Sequence, residues 1–150
     1  METRKIEFVM IVGNAKDYVQ GIAHILQSSL QNRHELSHMN VLTSVNMEQA
    51  GMIFNERRTD VRLIIAVECT NPFMRPVEPP PALTDTVPFV ESARQEGWGG
   101  PMIVSATVPS RLAKLITAAG NGCPMIATSV VRLIPNFGVD VLLNHEKVTS

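Results

Sequence analysis

The segment Val61-Arg-Leu-Ile-Ile-Ala-Val67 is an almost continuous apolar run and predicts a strand buried on both faces of a sheet. Glu68 follows this run directly, and Pro72 lies four residues further along the chain. The acidic residue therefore falls at the carboxyl edge of the predicted sheet. In open parallel sheets, this edge is where ligands usually bind and where chemistry usually takes place.

Four further apolar runs predict strands, and segments with helical spacing of apolar residues separate them. Asn14 and Asn46 precede two of these segments and are candidate helix N-caps, and Gln49 stands at the capping-box position after Asn46. Alternation of strands and helices indicates parallel pairing with right-handed crossovers. We expect an α/β fold of the flavodoxin-like type, a three-layer sandwich with a five-stranded parallel sheet in the order 2-1-3-4-5 and about five helices. The four further runs are residues 8–12, 39–44, 102–106 and 125–127.

The composition limits the classes of protein to consider. The 150 residues, of which 45% are hydrophobic and 18% charged, fit one folded domain spanning 1–150. A net charge of −1 without a concentrated basic patch argues against a nucleic-acid partner. No apolar run approaches the roughly 20 residues that a membrane helix needs, and no signal-peptide pattern is present, so we expect a cytoplasmic protein.

Two segments are each compatible with more than one structure or role. Six of the ten prolines lie within residues 70–88, which predicts a loop with some polyproline character. This loop is either a tolerated surface insertion or a docking segment for a partner. Residues 135–150 begin at a proline inside an apolar stretch, and either a restarted helix or an added strand is compatible with them.

The polar residues at the predicted strand ends include one carboxylate and no lysine. Such a set is poor for metal-assisted phosphate chemistry. His34 and His38 have the spacing of a helical metal pair, but they fall in a predicted loop without a third ligand, so we expect no metal site. The residues expected at the crevice are Gly13, Asn14, Glu68, Ser105 and Thr128.

Two stretches carry a resemblance to a known family. They are Phe89-Val-Glu-Ser-Ala-Arg-Gln-Glu-Gly-Trp-Gly-Gly-Pro-Met-Ile-Val-Ser-Ala106 and Ala118-Ala-Gly-Asn-Gly-Cys-Pro-Met-Ile-Ala-Thr128. Together with the second-strand region of residues 41–50, they resemble response-regulator receiver domains over about residues 5–143. The resemblance implies a signalling domain of two-component type rather than an enzyme.

Receivers hold Mg²⁺ with two acidic residues after the first strand, and here those positions are Gly13 and Asn14. The family's phosphoacceptor aspartate closes the third strand, four residues before a proline, and Glu68 with Pro72 fits that position. Mg²⁺ prefers carboxylate oxygens, and the extra methylene of glutamate displaces the attacking oxygen by more than about 1 Å. A displacement of that size can cost about 100-fold in rate. The resemblance therefore implies a degenerate pseudo-receiver without a cofactor, in which Mg²⁺ binds only if the pocket is functional.

Of the family's three switch positions, one carries the family's type of residue in this sequence and two do not. The hydroxyl residue after the fourth strand is present as Ser105, but Thr128 replaces the lysine and Met125 replaces the aromatic residue. We expect Glu68 to be a structural residue that is hydrogen-bonded to Ser105, Thr128 or loop amides. The alternative is that Glu68 acts as a permanent mimic of the phosphorylated aspartate.

The expected partners follow from the same resemblance. Receivers commonly signal through the face made by the fourth helix, fifth strand and fifth helix, which here includes Arg111, Lys114 and Arg132. The expected partners are a histidine kinase, a regulator, an output protein or a second copy of the chain. Two other functions stay open: an unusual phosphoacceptor in a phosphorelay, and a small-molecule binder or enzyme. The second would use the crevice around Asn14, Glu68, Cys69 and Ser105.

Overall fold

The computed structural model describes residues 6–14, 16–68, 86–120, 125–128 and 131–149, and these include five parallel strands in one sheet. The strand order is β2-β1-β3-β4-β5, as predicted. All four strand pairings are parallel. The strands are β1 (Glu7–Gly13), β2 (Met39–Ser44), β3 (Val61–Glu68), β4 (Met102–Ala106) and β5 (Met125–Thr128).

Helices cover both faces of this sheet and make the predicted three-layer sandwich. The core below α1 and α5 is separate from the core below α2, α3 and α4. We call these two sides of the sheet the α1/α5 face and the α2–α4 face. The helices are α1 (Lys16–Gln31), α2 (Met47–Arg57), α3 (Val87–Gln95), α4 (Pro109–Ala119) and α5 (Ile134–Thr149).

Residues of β3 alternate between the two faces, which explains its continuous apolar run. Leu63 and Ile65 pack on the α1/α5 face, whereas Ile64 and Ala66 pack on the α2–α4 face. All four side chains are fully buried. These four positions of β3 are apolar because helices cover both faces of the strand and exclude water.

Asn46 caps α2 as predicted, since its side-chain oxygen accepts a hydrogen bond from the backbone N–H of Gln49 at 3.1 Å. The corresponding prediction for Asn14 is not confirmed. Helix α1 begins at Lys16, two residues after Asn14, and residue 15 between them lies outside the described residues.

The chain after β5 forms a helix and not an added strand. A 3₁₀ turn at Val131–Leu133 leads into α5, in which Pro135 is the second residue. Proline is well tolerated in the first helical turn because its missing N–H has no acceptor there. Of the predicted Pro-rich loop, residues 70–85 lie outside the described residues, and α3 already starts at Val87.

The outer edge of β2 is partly covered by a side chain of α1. The side-chain amide of Gln27 donates to the carbonyl oxygen of Met39 at 3.2 Å and accepts from the backbone N–H of Val41 at 3.2 Å. This amide thus bonds the edge of the strand much as the backbone of a neighbouring strand would.

Candidate functional site

Glu68 ends β3 at the carboxyl edge of the sheet and is only 7% exposed. Its Oε1 accepts from Nε of Arg111 at 2.8 Å, and its Oε2 accepts from Nη2 of Arg111 at 2.9 Å. The hydroxyl of Thr86, which is fully buried just before α3, donates to Oε2 at 2.6 Å. Both carboxylate oxygens of Glu68 therefore accept hydrogen bonds. A hydrogen-bonded Glu68 was predicted, but with Ser105, Thr128 or loop amides as its partners.

Arg111 reaches Glu68 because α4 begins immediately after the carboxyl end of β4. Pro109 is the first residue of α4, and Arg111 lies in its first turn on the side that faces the sheet. A bidentate guanidinium–carboxylate pair is among the strongest hydrogen-bonded arrangements in proteins. The interaction-surface prediction for Arg111 needs correction, since its side chain turns inward and is 27% exposed.

Ser105 does not join Glu68, contrary to prediction, because of the register between β3 and β4. Ser105 lies opposite Val67, and Glu68 lies opposite Ala106. Opposite residues of parallel strands share a face, so Ser105 points to the α1/α5 face while Glu68 points to the α2–α4 face. The hydroxyl of Ser105 is buried and has no hydrogen-bond partner among the residues that the structure describes.

The other two switch positions are also divided between the faces. Thr128 lies opposite Ser105 in the register of β4 and β5 and is half-buried. Met125 is also half-buried, but it packs against the core of the α2–α4 face. The three positions that the resemblance grouped as a switch therefore do not surround Glu68.

Gly13 occupies the first acidic position of the family, and the structure leaves no room there for a side chain. A Cβ atom would lie 2.5 Å from Cγ2 of Val19 and 2.8 Å from the carbonyl oxygen of Val67. Asn14 follows half-buried, and its backbone N–H donates to the same carbonyl oxygen at 3.3 Å. The first acidic position is thus closed by packing and not merely substituted.

The remaining predicted residues lie apart from this cluster. Lys114 borders a groove between α3 and α4 of about 300 Å³, together with Glu91, and Arg132 is exposed in the 3₁₀ turn before α5. Cys69 lies outside the described residues. Within the described ranges, no group of three or more His, Cys, Asp or Glu residues is placed to hold a metal ion. Nor does any described helix have the length and apolar character to cross a membrane.

The fold of the chain is similar to that of solved receiver domains, with low sequence identity. A receiver domain from Clostridium thermocellum aligns with a TM-score of 0.61 and 14% identity, covering 96% of this chain and 99% of that chain. The C-terminal part of Escherichia coli RcsC, with a linker region and a phosphoreceiver domain, aligns with a TM-score of 0.66 and 12% identity, covering 100% of this chain and 51% of that chain. The chain has the fold of a response-regulator receiver domain.

A third receiver-fold neighbour comes from the CheX–CheY–BeF3–Mg²⁺ complex of Borrelia burgdorferi. It aligns with a TM-score of 0.53 and 13% identity, covering 96% of this chain and 90% of that chain. Neither a protein-family profile nor a curated protein sequence matches the chain. Structure and not sequence therefore establishes the receiver fold.

A second polar cluster lies at the opposite, amino edge of the receiver-fold sheet. Glu7 starts β1 and is 3% exposed, yet it is charged. Its Oε1 lies 2.6 Å from Nε2 of His38, and its Oε2 accepts from Nε of Arg62. His38 was expected in a solvated loop, but it is half-buried and helps to hold the starts of three neighbouring strands together.

Burial raises the pKa of Glu7, but the hydrogen bonds from His38 and Arg62 and their charges outweigh burial and leave it below the ordinary value of 4.5. A carboxylate with a lowered folded-state pKa stabilises the fold above the unfolded-state pKa. That contribution disappears as the pH falls through the folded-state pKa. The cluster therefore makes the fold sensitive to acid.

We expect Glu7→Gln to lower the free energy of unfolding at neutral pH by about 1.5–3 kcal/mol, because hydrogen bonds to a buried charge are lost. The difference from the unmodified chain should shrink as the pH falls below 4.5. Urea denaturation across a pH series measures this. Glu56→Gln, at an exposed position of α2, is the matched control for losing one charge. A Glu7→Gln difference that persists unchanged into acid would contradict the assignment.

Sequence reasoning missed the partners of both buried carboxylates, Glu68 and Glu7. A signal for Arg111 was present, since the helix after β4 had to start beside the same crevice as Glu68. No signal identified Thr86, which lies within the Pro-rich stretch of residues 70–88. For Glu7, the only sequence indication was a charge placed at the start of an otherwise apolar strand.

Proposed function

We propose that the chain is a receiver-like signalling module of two-component type that works without phosphorylation, through contacts with other proteins. The observation that carries this proposal is the Glu68–Arg111 ion pair, with distances of 2.8 and 2.9 Å. Glu68 stands at the position where the resemblance to receiver domains places the phosphoacceptor. The proposal makes the chain a pseudo-receiver located in the cytoplasm, without enzymatic activity of its own.

The ion pair opposes phosphorylation for two reasons. Hydrogen bonds and a countercharge lower the nucleophilicity of a carboxylate oxygen. Both oxygens of Glu68 accept hydrogen bonds from Arg111, and Oε2 also accepts one from Thr86. Phosphoryl transfer also needs a cation that bridges the moving charge, and Mg²⁺ usually fills that role. The guanidinium of Arg111 already neutralises the carboxylate that Mg²⁺ would require.

The surroundings of Gly13 support the same proposal. A carboxylate cannot be accommodated at this position, and Asn14 offers only a neutral side-chain oxygen. The Borrelia burgdorferi neighbour comes from a complex that contains BeF3 and Mg²⁺. We infer that this chain binds neither Mg²⁺ nor such a phosphoryl analogue with useful affinity.

The proposed partners are proteins: a histidine kinase, a regulator, an output protein or a second copy of the chain. In the absence of phosphorylation, α4 is held in one position by the pair between Arg111 and Glu68. The surface of α4 is then fixed without a phosphoryl signal. Regulation would come from the amount or location of the partner.

Incubation with acetyl phosphate and Mg²⁺, followed by intact mass spectrometry, tests the proposal. We expect no mass increase by one phosphoryl group, and no shift in melting temperature on adding Mg²⁺ with BeF3. A receiver domain with an intact acidic pocket, treated in parallel, confirms that the reagents are active. A stable phosphoryl adduct on Glu68 would refute the proposal.

Two buried hydroxyls provide a further test. We expect Ser105→Ala to leave the free energy of unfolding unchanged or raise it by up to about 1 kcal/mol. The substitution removes a buried hydroxyl that has no partner in the described part of the chain. Thr86→Val removes an equally buried hydroxyl that donates to Glu68, and should cost about 1.5–3 kcal/mol. Urea denaturation measures both. An equal cost for the two variants would show that Ser105 has a partner.

A further inference from the structure

The groove between the end of α1 and the first turns of α5 is lined mainly by polar side chains that the proposed function does not use. It has a volume of about 650 Å³, within the range of roughly 300–1,000 Å³ that is usual for small-molecule sites. Its helices cover the α1/α5 face, whereas Glu68 points to the α2–α4 face. The residues that line it are Ser29, Asn32, Arg33, Asn136, Val139 and Asp140.

Close packing holds the two walls of this groove in place. Gly138 of α5 lies so near α1 that a Cβ atom there would be 3.3 Å from Cδ1 of Leu26. Leu26 is fully buried, and Val139 belongs both to the same core and to the lining of the groove. A ligand would therefore bind between surfaces that are already positioned, which lowers the entropic cost of binding.

The five polar side chains that line the groove have no hydrogen-bond or ion-pair partner among the residues that the structure describes. They supply one guanidinium, one carboxylate, two carboxamides and one hydroxyl. Arg33 and Asp140 line the same groove without pairing, so a ligand can lie between their charges. The groove thus presents both signs of charge, with neutral donors and acceptors beside them.

The two charges determine which class of ligand is complementary to the groove. A guanidinium presents a planar fork of N–H donors that matches a carboxylate, and the carboxylate of Asp140 accepts hydrogen bonds from an ammonium group. A dicarboxylate would be repelled by Asp140 and a polyamine by Arg33, whereas a neutral sugar would leave both charges unmatched. A ligand that carries one ammonium group and one carboxylate satisfies both.

We propose that this groove binds a free α-amino acid whose side chain ends in a carboxamide. The carboxylate of the amino acid contacts Arg33, its ammonium group contacts Asp140, and its carboxamide exchanges hydrogen bonds with Asn32 or Asn136. The proposal goes beyond the proposed function, because such a site does not depend on whether Glu68 accepts a phosphoryl group.

The groove between α3 and α4 is less suitable for such a ligand. It also has one anion and one cation, Glu91 and Lys114, but its volume is only about 300 Å³. The hydroxyl of Thr117 already donates to the carbonyl oxygen of Ala113 at 3.0 Å, and none of the described residues that line this groove carries a carboxamide. Its two charged residues therefore serve as controls.

Titration of the isotope-labelled full chain with L-glutamine, followed by heteronuclear NMR, tests the proposal. Exposed ion pairs contribute little free energy, so we expect a dissociation constant on the order of 1 mM. The shifted amide signals should lie next to the groove. Arg33→Gln and Asp140→Asn should each raise the dissociation constant at least about threefold. L-Leucine should bind at least about threefold more weakly than L-glutamine, because it lacks the carboxamide.

Two analogues of L-glutamine separate the roles of the two charges. Glutaramic acid lacks the ammonium group and γ-aminobutyramide lacks the carboxylate, so both should bind the unmodified chain more weakly than L-glutamine does. Asp140→Asn should bind L-glutamine and glutaramic acid about equally, because the partner of the ammonium group is gone. Arg33→Gln should likewise not distinguish L-glutamine from γ-aminobutyramide. A general effect of either substitution on folding would weaken all ligands alike.

Glu91→Gln and Lys114→Gln are the matched controls, since each removes one charge from the groove between α3 and α4 and should leave the dissociation constant unchanged. Circular dichroism verifies that each variant folds. The site would be overturned by a lack of saturation up to about 20 mM, by shifts centred elsewhere, by equal binding of L-leucine, or by weaker binding in the control variants. None of these outcomes affects the phosphoryl test, so failure of the amino-acid site and failure of the proposed function can be distinguished.

Discussion

Replacing Arg111 by methionine is expected to lower the free energy of unfolding by about 2–3 kcal/mol. The substitution keeps most of the apolar stem but leaves Glu68, which is 7% exposed, without its countercharge. Breaking a fully buried ion pair typically costs about 3–5 kcal/mol, and the 27% exposure of the Arg111 side chain reduces that figure. Urea denaturation followed by circular dichroism measures the change.

Lys114→Met is the matched control, since it removes a cation from the exposed side of the same helix. Its expected effect is within about 0.5 kcal/mol. The double variant Glu68→Gln/Arg111→Met should be less destabilised than the sum of the two single variants, because the uncompensated charge is gone. Equal effects of Arg111→Met and Lys114→Met would mean that the ion pair does not form in solution.

Replacing Gly13 by alanine is expected to destabilise the fold by about 3 kcal/mol, near the upper end for overpacking. The added Cβ would lie 2.5 Å from a methyl group of Val19 and 2.8 Å from the carbonyl oxygen of Val67. Valine is stiff about χ1, and the carbonyl belongs to a central strand, so neither neighbour moves away easily. Thermal and urea denaturation measure the effect.

Gly21→Ala is the matched control because a Cβ there meets nothing within 4 Å. In the interior of α1 this change should stabilise by about 0.5–1 kcal/mol, owing to the higher helix propensity of alanine. Tolerance of Gly13→Ala at the level of Gly21→Ala would show that the site is open. In that case Gly13→Asp would add an acidic side chain at this position, and packing would no longer exclude a carboxylate ligand for Mg²⁺ there.

Much of the fold could be predicted because the relevant physical signals are local. The apolar run of β3 predicted a strand buried on both faces, and the Asn46–Gln49 pair predicted the start of α2. The alternation of strands and helices then limited the topology to few solutions, and the sheet has the expected order. The register between β3 and β4 is not a local property, and it separates Ser105 from Glu68.

The sequence predicted where the candidate site lies, but it did not predict which residues contact each other there. The sequence placed Glu68 at the carboxyl edge of the sheet, where β3 ends, whereas its partner Arg111 lies 43 residues away and had been assigned to the surface. His38 illustrates the same limit, because its carboxylate partner Glu7 lies 31 residues earlier. Side-chain pairing between distant segments depends on helix entry angles and on strand register. A strand that is apolar on both faces carries no alternation of apolar and polar residues that would fix its register.

The side chain of Gln27 has a consequence for how this protein avoids aggregation. Exposed sheet edges recruit strands from other molecules, and many proteins obstruct them with charges or prolines. Here one neutral amide on α1 occupies the donor and acceptor groups flanking Asn40, so an incoming peptide would have to displace it before extending the sheet. Extending the sheet through this border would therefore cost both hydrogen bonds of the Gln27 amide, which protects the edge of β2 without a charge or a proline.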